Sequence, residues 1–93
     1  MSVFLAWSPE LDRADRNGPW HEIWEVSSSV WFIDSDDTLS AVYHQLKWSF
    51  PETPSPPAIM VAPVAGIPKL RGLPAGTSTW LRERGRATSA PSA

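Results

Sequence analysis

Three aspartates clustered behind a short apolar run are the side chains best suited to chemistry. Asp34, Asp36 and Asp37 follow residues 30–33 with the spacing D-x-D-D. Carboxylate oxygens are the ligands that Mg²⁺ and Ca²⁺ prefer in proteins, so the cluster is a candidate cation site. The spacing lacks the later glycine and glutamate of an EF-hand loop, and acidic residues before a helix also cap its N–H groups and interact with its dipole. Capping and solvation are therefore the favoured role, which leaves the three aspartates as weak metal candidates.

Neither histidine, His21 or His44, has the sequence context of a catalytic base. A general base needs an orienting partner and a nucleophile or water within hydrogen-bond reach, and the neighbouring residues supply neither. The chain has no cysteine, which excludes disulfides and thiolate zinc sites, and it has no P-loop or dinucleotide-binding fingerprint. Residues 72–76 (GLPAG) indicate a turn. We therefore predict no catalytic residue and no small-molecule cofactor, with a divalent metal only if the chain is a nuclease.

The stretch that follows the aspartates predicts one amphipathic helix. Its apolar residues recur at spacings of three and four: Leu39, Val42, Tyr43, Leu46 and Phe50. This spacing places them on one helical face. Asp37 or Thr38 can cap the free N–H groups of the helix, and Pro51 ends it because proline has no N–H to donate.

Four apolar runs predict strands at residues 3–7, 20–26, 30–33 and 58–62. The first is expected to be central or near-central in the sheet. The second and third are joined by three serines and are expected to form a hairpin. Pro63 either ends the fourth strand or places it at an unpaired edge.

The remaining segments are polar or rich in proline. Residues 9–19 contain one large apolar residue, Leu11, and are not expected to form a packed helix. Residues 51–57 (PETPSPP) predict a stiff loop. Residues 77–79 offer caps for a short helix at 80–84, closed by Gly85. We therefore expect one α+β domain over residues 1–85 and a disordered tail over 86–93.

Nine residues are expected to form most of the core: Leu5, Trp31, Ile33, Leu39, Val42, Tyr43, Leu46, Ile59 and Val61. The chain also has six tryptophans, of which most are expected in the core and one or two at an interface. Trp20, Trp24 and Trp48 are the hardest to place inside one chain. Because one helix cannot cover both faces of a small sheet, we expect a homodimer with Trp20 or Trp24 near the centre of its interface.

The charges divide the chain into an acidic body and a basic end. Residues 1–68 hold three basic and nine acidic side chains, whereas residues 69–93 hold five basic and one acidic. Arg82 and Arg84 are therefore candidates for contacting a nucleic acid or an acidic protein; the alternative is that they only solvate a terminal helix. No apolar run approaches the length of a membrane span, and no export signal is recognised. A cytoplasmic protein without membrane partners is expected.

From residue 29 to residue 85 the chain resembles SinR-type proteins, which are related to VapD and to the small subunit of the CRISPR adaptation machinery. The resemblance lies in SVWFIDSDDT leading into the helix, then AIMVAPVAG, RGLP and the closing WLRERG. It implies a ferredoxin-like domain that dimerises. In family members that are nucleases, it implies an aspartate at the end of the first strand that holds a divalent metal between subunits.

This chain departs from the family pattern at that aspartate. Ala6, Trp7, Ser8, Pro9 and Glu10 follow Leu5, and the segment that would hold the first helix is too short. We therefore expect a β-β-β-α-β arrangement with a degenerate first helix and a short C-terminal helix. The favoured function is a non-catalytic, dimeric binding module for a protein or nucleic acid. The alternatives are a metal-dependent ribonuclease that uses Glu10 or the aspartate cluster, and a phage-encoded inhibitor of a bacterial defence complex.

Overall fold

The computed structural model describes residues 2–66 and 68–89, the last five of them as backbone only. The elements follow in this order: β1 (Ser2–Trp7), a 3-10 turn (Leu11–Arg13), β2 (Glu22–Glu25), β3 (Val30–Ser35), α1 (Leu39–Trp48), β4 (Met60–Val64) and α2 (Thr77–Ser89). The predicted α+β class is confirmed. Within the described residues, neither helix combines the length and the apolarity needed to cross a bilayer.

The four strands form one antiparallel sheet in the order β2-β3-β1-β4. Leu5 of β1 lies opposite Phe32 of β3 and Ala62 of β4, so the predicted central position of the first strand is confirmed. The predicted hairpin is also confirmed, since β2 pairs with β3. Strand β4 lies two residues later than predicted, and it contains Pro63 at an edge of the sheet, where a missing N–H is tolerated.

One face of the sheet is covered by α1 and by the polar segment that joins β1 to β2, residues 8–21. Alternate residues of β1 and β3, such as Ala6 and Ile33, pack here against Leu46 of α1. Leu11 and Trp20 of the polar segment join the same cluster and are buried. As expected, residues 9–19 form no packed helix, only the 3-10 turn, yet their one large apolar residue belongs to the core. Leu11 is held in place by backbone hydrogen bonds of its neighbours rather than by a helical stripe, for example the bond from Asp12 N to Ser28 O at 3.1 Å.

The other face of the sheet is covered by α2. Trp80 and Leu81 pack against Val3 and Phe32, and all four side chains are buried. The expectation of an uncovered sheet face is therefore wrong. The C-terminal helix was predicted over residues 80–84, which is too short to cover a face of the sheet, but it is longer in the structure. It begins at Thr77, passes Gly85 and ends at Ser89. Residues 86–89 of the predicted tail thus belong to the helix, and residues 90–93 lie outside the described residues.

The ends of α1 follow from local chemistry. Thr38 is the N-cap, and its Oγ1 accepts a hydrogen bond from Ala41 N at 3.1 Å. The helix ends at Trp48, before the proline at position 51. The amphipathic helix is confirmed, with Val42 and Leu46 fully buried on its inner side.

Four of the nine predicted core residues are fully buried: Trp31, Ile33, Val42 and Leu46. Leu5, Tyr43, Ile59 and Val61 are half-buried. Leu39 is 40% exposed, so its assignment to the core is wrong. Side chains of an α-helix tilt towards its N-terminus, so that of the first residue points beyond the helix end.

Replacing Leu46 by Ala should lower the free energy of unfolding by about 2–5 kcal/mol, because it leaves a cavity beside the sheet. Leu39→Ala is the matched control on the same helix, and it should change that free energy by only about 0.5 kcal/mol because the side chain is at the surface. Denaturant melts of the two variants measure both values. Equal losses would mean that the inner face of α1 is assigned wrongly.

Candidate functional site

A buried carboxylate, Asp34, lies at the end of β3 on the face that α2 covers. Its side chain is 4% exposed, and Nε of Arg84 lies 3.0 Å from its Oδ2. Nη2 of the same arginine lies 3.1 Å from Oε2 of Glu22, which neighbours Asp34 in the strand register. Arg84 is only 16% exposed. Because a buried carboxylate requires a nearby cation, Arg84 points into the molecule rather than towards the partner predicted for it.

Two tryptophans attach α2 to the same face. Trp80 lies under Arg84, with its ring centroid 4.0 Å from Cζ of that arginine, and its Nε1 donates to Oε1 of Glu22 at 2.6 Å. Trp24 is half-buried, and its Nε1 donates to Oγ1 of Thr77 at 2.7 Å. Trp24, a predicted interface residue, is therefore engaged within its own chain.

The turn before α2 fits closely against Trp24. Gly76 has φ 92°, and a Cβ there would lie 3.1 Å from the Trp24 ring. A residue other than glycine would be strained in this left-handed conformation. Arg82, two residues before Arg84, is exposed on α2, so its side chain is accessible to the partner predicted for it.

Trp20, the third predicted interface tryptophan, belongs to the core. It is buried and packs edge-on against Trp31 with ring centroids 6.3 Å apart. Its Nε1 donates to the backbone oxygen of Arg16 at 3.1 Å. A Cβ on Gly18 would lie 2.5 Å from its ring, so the chain can pass there only as glycine. Trp20 therefore cannot form the centre of an interface.

The candidate metal ligands do not converge. Asp36 contacts His21, with Oδ2 and Nε2 2.7 Å apart, while Asp37 accepts a hydrogen bond from Gln45 at 2.8 Å. Glu10 pairs with the arginine three residues later, at 2.7 Å. No group of three or more metal-ligating side chains occurs in the described part of the chain. The four predicted carboxylates thus have four separate roles.

The exposed pair of His21 and Asp36 favours the charged form of both groups. The hydrogen bond from the imidazole to Asp36 raises the pKa of His21 above its ordinary value of 6.5, and the same bond lowers the pKa of Asp36. A histidine whose pKa is raised stabilises the fold below its ordinary pKa, and that contribution is lost as the pH rises through the raised value. Since both side chains are largely in solvent, this is a weak surface ion pair.

An open groove of about 950 Å³ is present on the surface. It lies between the C-terminal half of α1 and the proline-rich loop, residues 51–57. Tyr43, Lys47 and Trp48 line it from the helix, and Phe50 and Ile59 line it where the loop begins and ends. Trp48 is 72% exposed. Of the predicted partner-binding residues, Trp48 is thus the one that the structure places in a concave surface.

The helical wall of the groove adjoins a row of stacked rings. His44 stacks on Trp48, one helical turn later, with ring centroids 5.6 Å apart and planes at 27°. Tyr43 meets His44 edge-on at 5.2 Å, and Nζ of Lys47 lies 5.9 Å from the Tyr43 ring centroid. Side chains four residues apart are neighbours on a helix, so the row could have been found from the sequence as two such pairs, 43/47 and 44/48.

The chemistry of the groove is that of a docking surface. Its lining is aromatic, aliphatic and proline-rich, and its charged members are Lys47 and Glu52. Exposed aromatic residues in a concave apolar surface with few charges favour contact with protein.

Comparison of the chain with protein-family models, with curated proteins and with solved structures gave no match.

Replacing Arg84 by Met should lower the free energy of unfolding by about 3 kcal/mol, because Asp34 is left buried without its cation. Arg82→Met, on the exposed part of the same helix, should change it by about 0.5 kcal/mol at most. Urea denaturation followed by circular dichroism measures both. Similar values for the two variants would show that the Asp34 contact contributes nothing to holding α2.

Proposed function

We propose that this protein is a non-catalytic, homodimeric protein-binding module, and that it dimerises through the groove between α1 and the proline-rich loop. The observation that carries the proposal is Trp48, whose indole is 72% exposed at this groove. An indole that stays in water forgoes the burial of a large apolar area. Clustered with Tyr43 and Phe50, it forms the kind of apolar patch that marks an interaction site.

The other surfaces of the sheet are less suited to an interface. Both faces are covered within one chain by α1, the polar segment and α2. Edge strand β4 contains Pro63, which cannot donate to a further strand. Edge strand β2 is four residues long and has Glu22 and Glu25 at its ends. Proline, charge and short length all oppose edge-to-edge pairing, which leaves the groove.

A protein partner fits the charges better than a nucleic acid. Binding to a phosphate backbone requires several cations along one surface, and a single-stranded site adds stacking aromatics to a positive channel. The lining of the groove carries one positive side chain, Lys47, and one negative side chain, Glu52, so its net charge is zero. On α2, Arg84 is neutralised by Asp34 and Glu22. Arg84, one of the two arginines for which the sequence predicted contact with a nucleic acid, is thus paired within the fold.

As part of the same proposal, we regard the domain as a degenerate ferredoxin-like unit of the SinR-type family. In support, β1 lies between β3 and β4, antiparallel to both. The β3-α1-β4 connection therefore has the form of a split β-α-β unit. The polar segment with its 3-10 turn occupies the place of a first helix. The family's strand-one aspartate is missing, which supports binding rather than cleavage.

The purified protein should not cleave single-stranded RNA or double-stranded DNA above background in Mg²⁺ or Mn²⁺. Phosphodiester hydrolysis of this type needs a metal to stabilise developing charge, and the candidate ligands Glu10, Asp34, Asp36 and Asp37 are bound separately. Gel assays with labelled substrates measure this. Cleavage that is lost in Glu10→Gln but retained in the control Glu52→Gln would favour the ribonuclease instead.

The wild-type protein should dimerise at micromolar concentration, and Trp48→Ala should raise the dimer dissociation constant by about thirtyfold. That factor corresponds to the roughly 2 kcal/mol commonly lost when an aromatic residue at the centre of an interface is truncated. Sedimentation velocity across a dilution series measures both proteins.

The matched control is Trp7→Ala, which removes another exposed indole from outside the groove. It should leave the dissociation constant within about twofold of wild type. A wild type that stays monomeric at high micromolar concentration, or equal effects of the two substitutions, would defeat the proposal.

A further inference from the structure

We infer that each groove is occupied by the proline-rich loop of a second copy, exchanged across a two-fold axis, so that Lys47 of each copy pairs with Glu52 of the other. This inference rests on the proposed self-association through the groove and specifies its geometry. The occupant is thus a second copy of this chain, and the segment it contributes is residues 51–57.

The two walls of the groove are complementary in chemistry. The helical wall presents Tyr43 and Trp48, and the loop wall contains four prolines in seven residues. Proline-rich segments dock into aromatic-lined grooves because they are already extended and lose little conformational entropy on binding. One surface thus carries both the receptor wall and the ligand segment. A two-fold axis lets both copies use both walls at once, as in an isologous interface.

The charges of the groove are complementary in the same way. Lys47 lies on the helical wall and Glu52 on the loop wall, and they are the charged residues of the lining. Among the described residues, no ion pair includes either of them. When the loop of one copy lies on the helix of the other, each lysine faces a glutamate. The exchange therefore forms two Lys47–Glu52 ion pairs in the dimer. A different protein would have to supply its own negative charge for Lys47 and its own positive charge for Glu52.

Reversal of each charge tests this pairing directly. Lys47→Glu alone and Glu52→Lys alone each place two like-charge contacts in the symmetric dimer. Like-charge contacts oppose association, so the dissociation constant of each variant should rise at least about tenfold. In an equimolar mixture of the two variants, the heterodimer regains two opposite-charge contacts and should form with a dissociation constant within about threefold of wild type.

Sedimentation velocity of each variant, of the 1:1 mixture and of the wild type measures these constants, and thermal melts verify that each variant is folded. Variants that dimerise like wild type, or a mixture as weak as its components, would overturn the loop exchange. If the wild type dimerises and Trp48→Ala weakens it, the proposed function stands even when the charge reversals show no rescue. A monomeric wild type would overturn both.

Discussion

The ion pair between Asp34 and Arg84 is the buried polar contact that joins α2 to the sheet. Asp34 stands at the end of β3, beside both β1 and β2, and its carboxylate is buried on the face where α2 packs against Val3 and Phe32. Burial of an unpaired charge is costly, so an element that brings a cation is favoured as the cover of this face. We interpret the pair as a device that selects one placement of α2 rather than as a large net source of stability.

With α2 in that placement, the described residues cover both faces of the sheet, and most of the tryptophans take part in that covering. Trp20, Trp31 and Trp80 are core residues, and Trp24 fastens the helix to the sheet. Trp48 is different because it is 72% exposed, and among the described residues His44 stacks on its ring. The interaction surface that we propose is therefore local, formed by the end of α1 and the loop of residues 51–57 rather than by the sheet.

Local patterns in the sequence were enough to predict the strands and α1, because apolar runs and helical spacing are properties of neighbouring residues. Leu11 gave no such signal, since a single apolar residue in a polar segment has no period, and its burial depends on strands that fold beside it. Arg84 reads as a solvated end charge until its partner, 50 residues away, is known. Trp48 was identified because it lies off the apolar stripe. The loop wall of the groove was missed because a proline-rich segment has no core-forming residue of its own.

The place of β1 in the sheet also bears on how the chain reaches its native state. Strand β1 lies between β3 and β4, and both of these partner strands come much later in the sequence. Contacts between distant segments make folding slow, because a long loop must close before any pairing is gained. During synthesis, β1 can therefore pair with its first partner strand only after β3 has been made, and with its second only after β4 has been made. One of the two inner strands of the sheet thus has its apolar residues without a ladder partner while residues 8–29 are made.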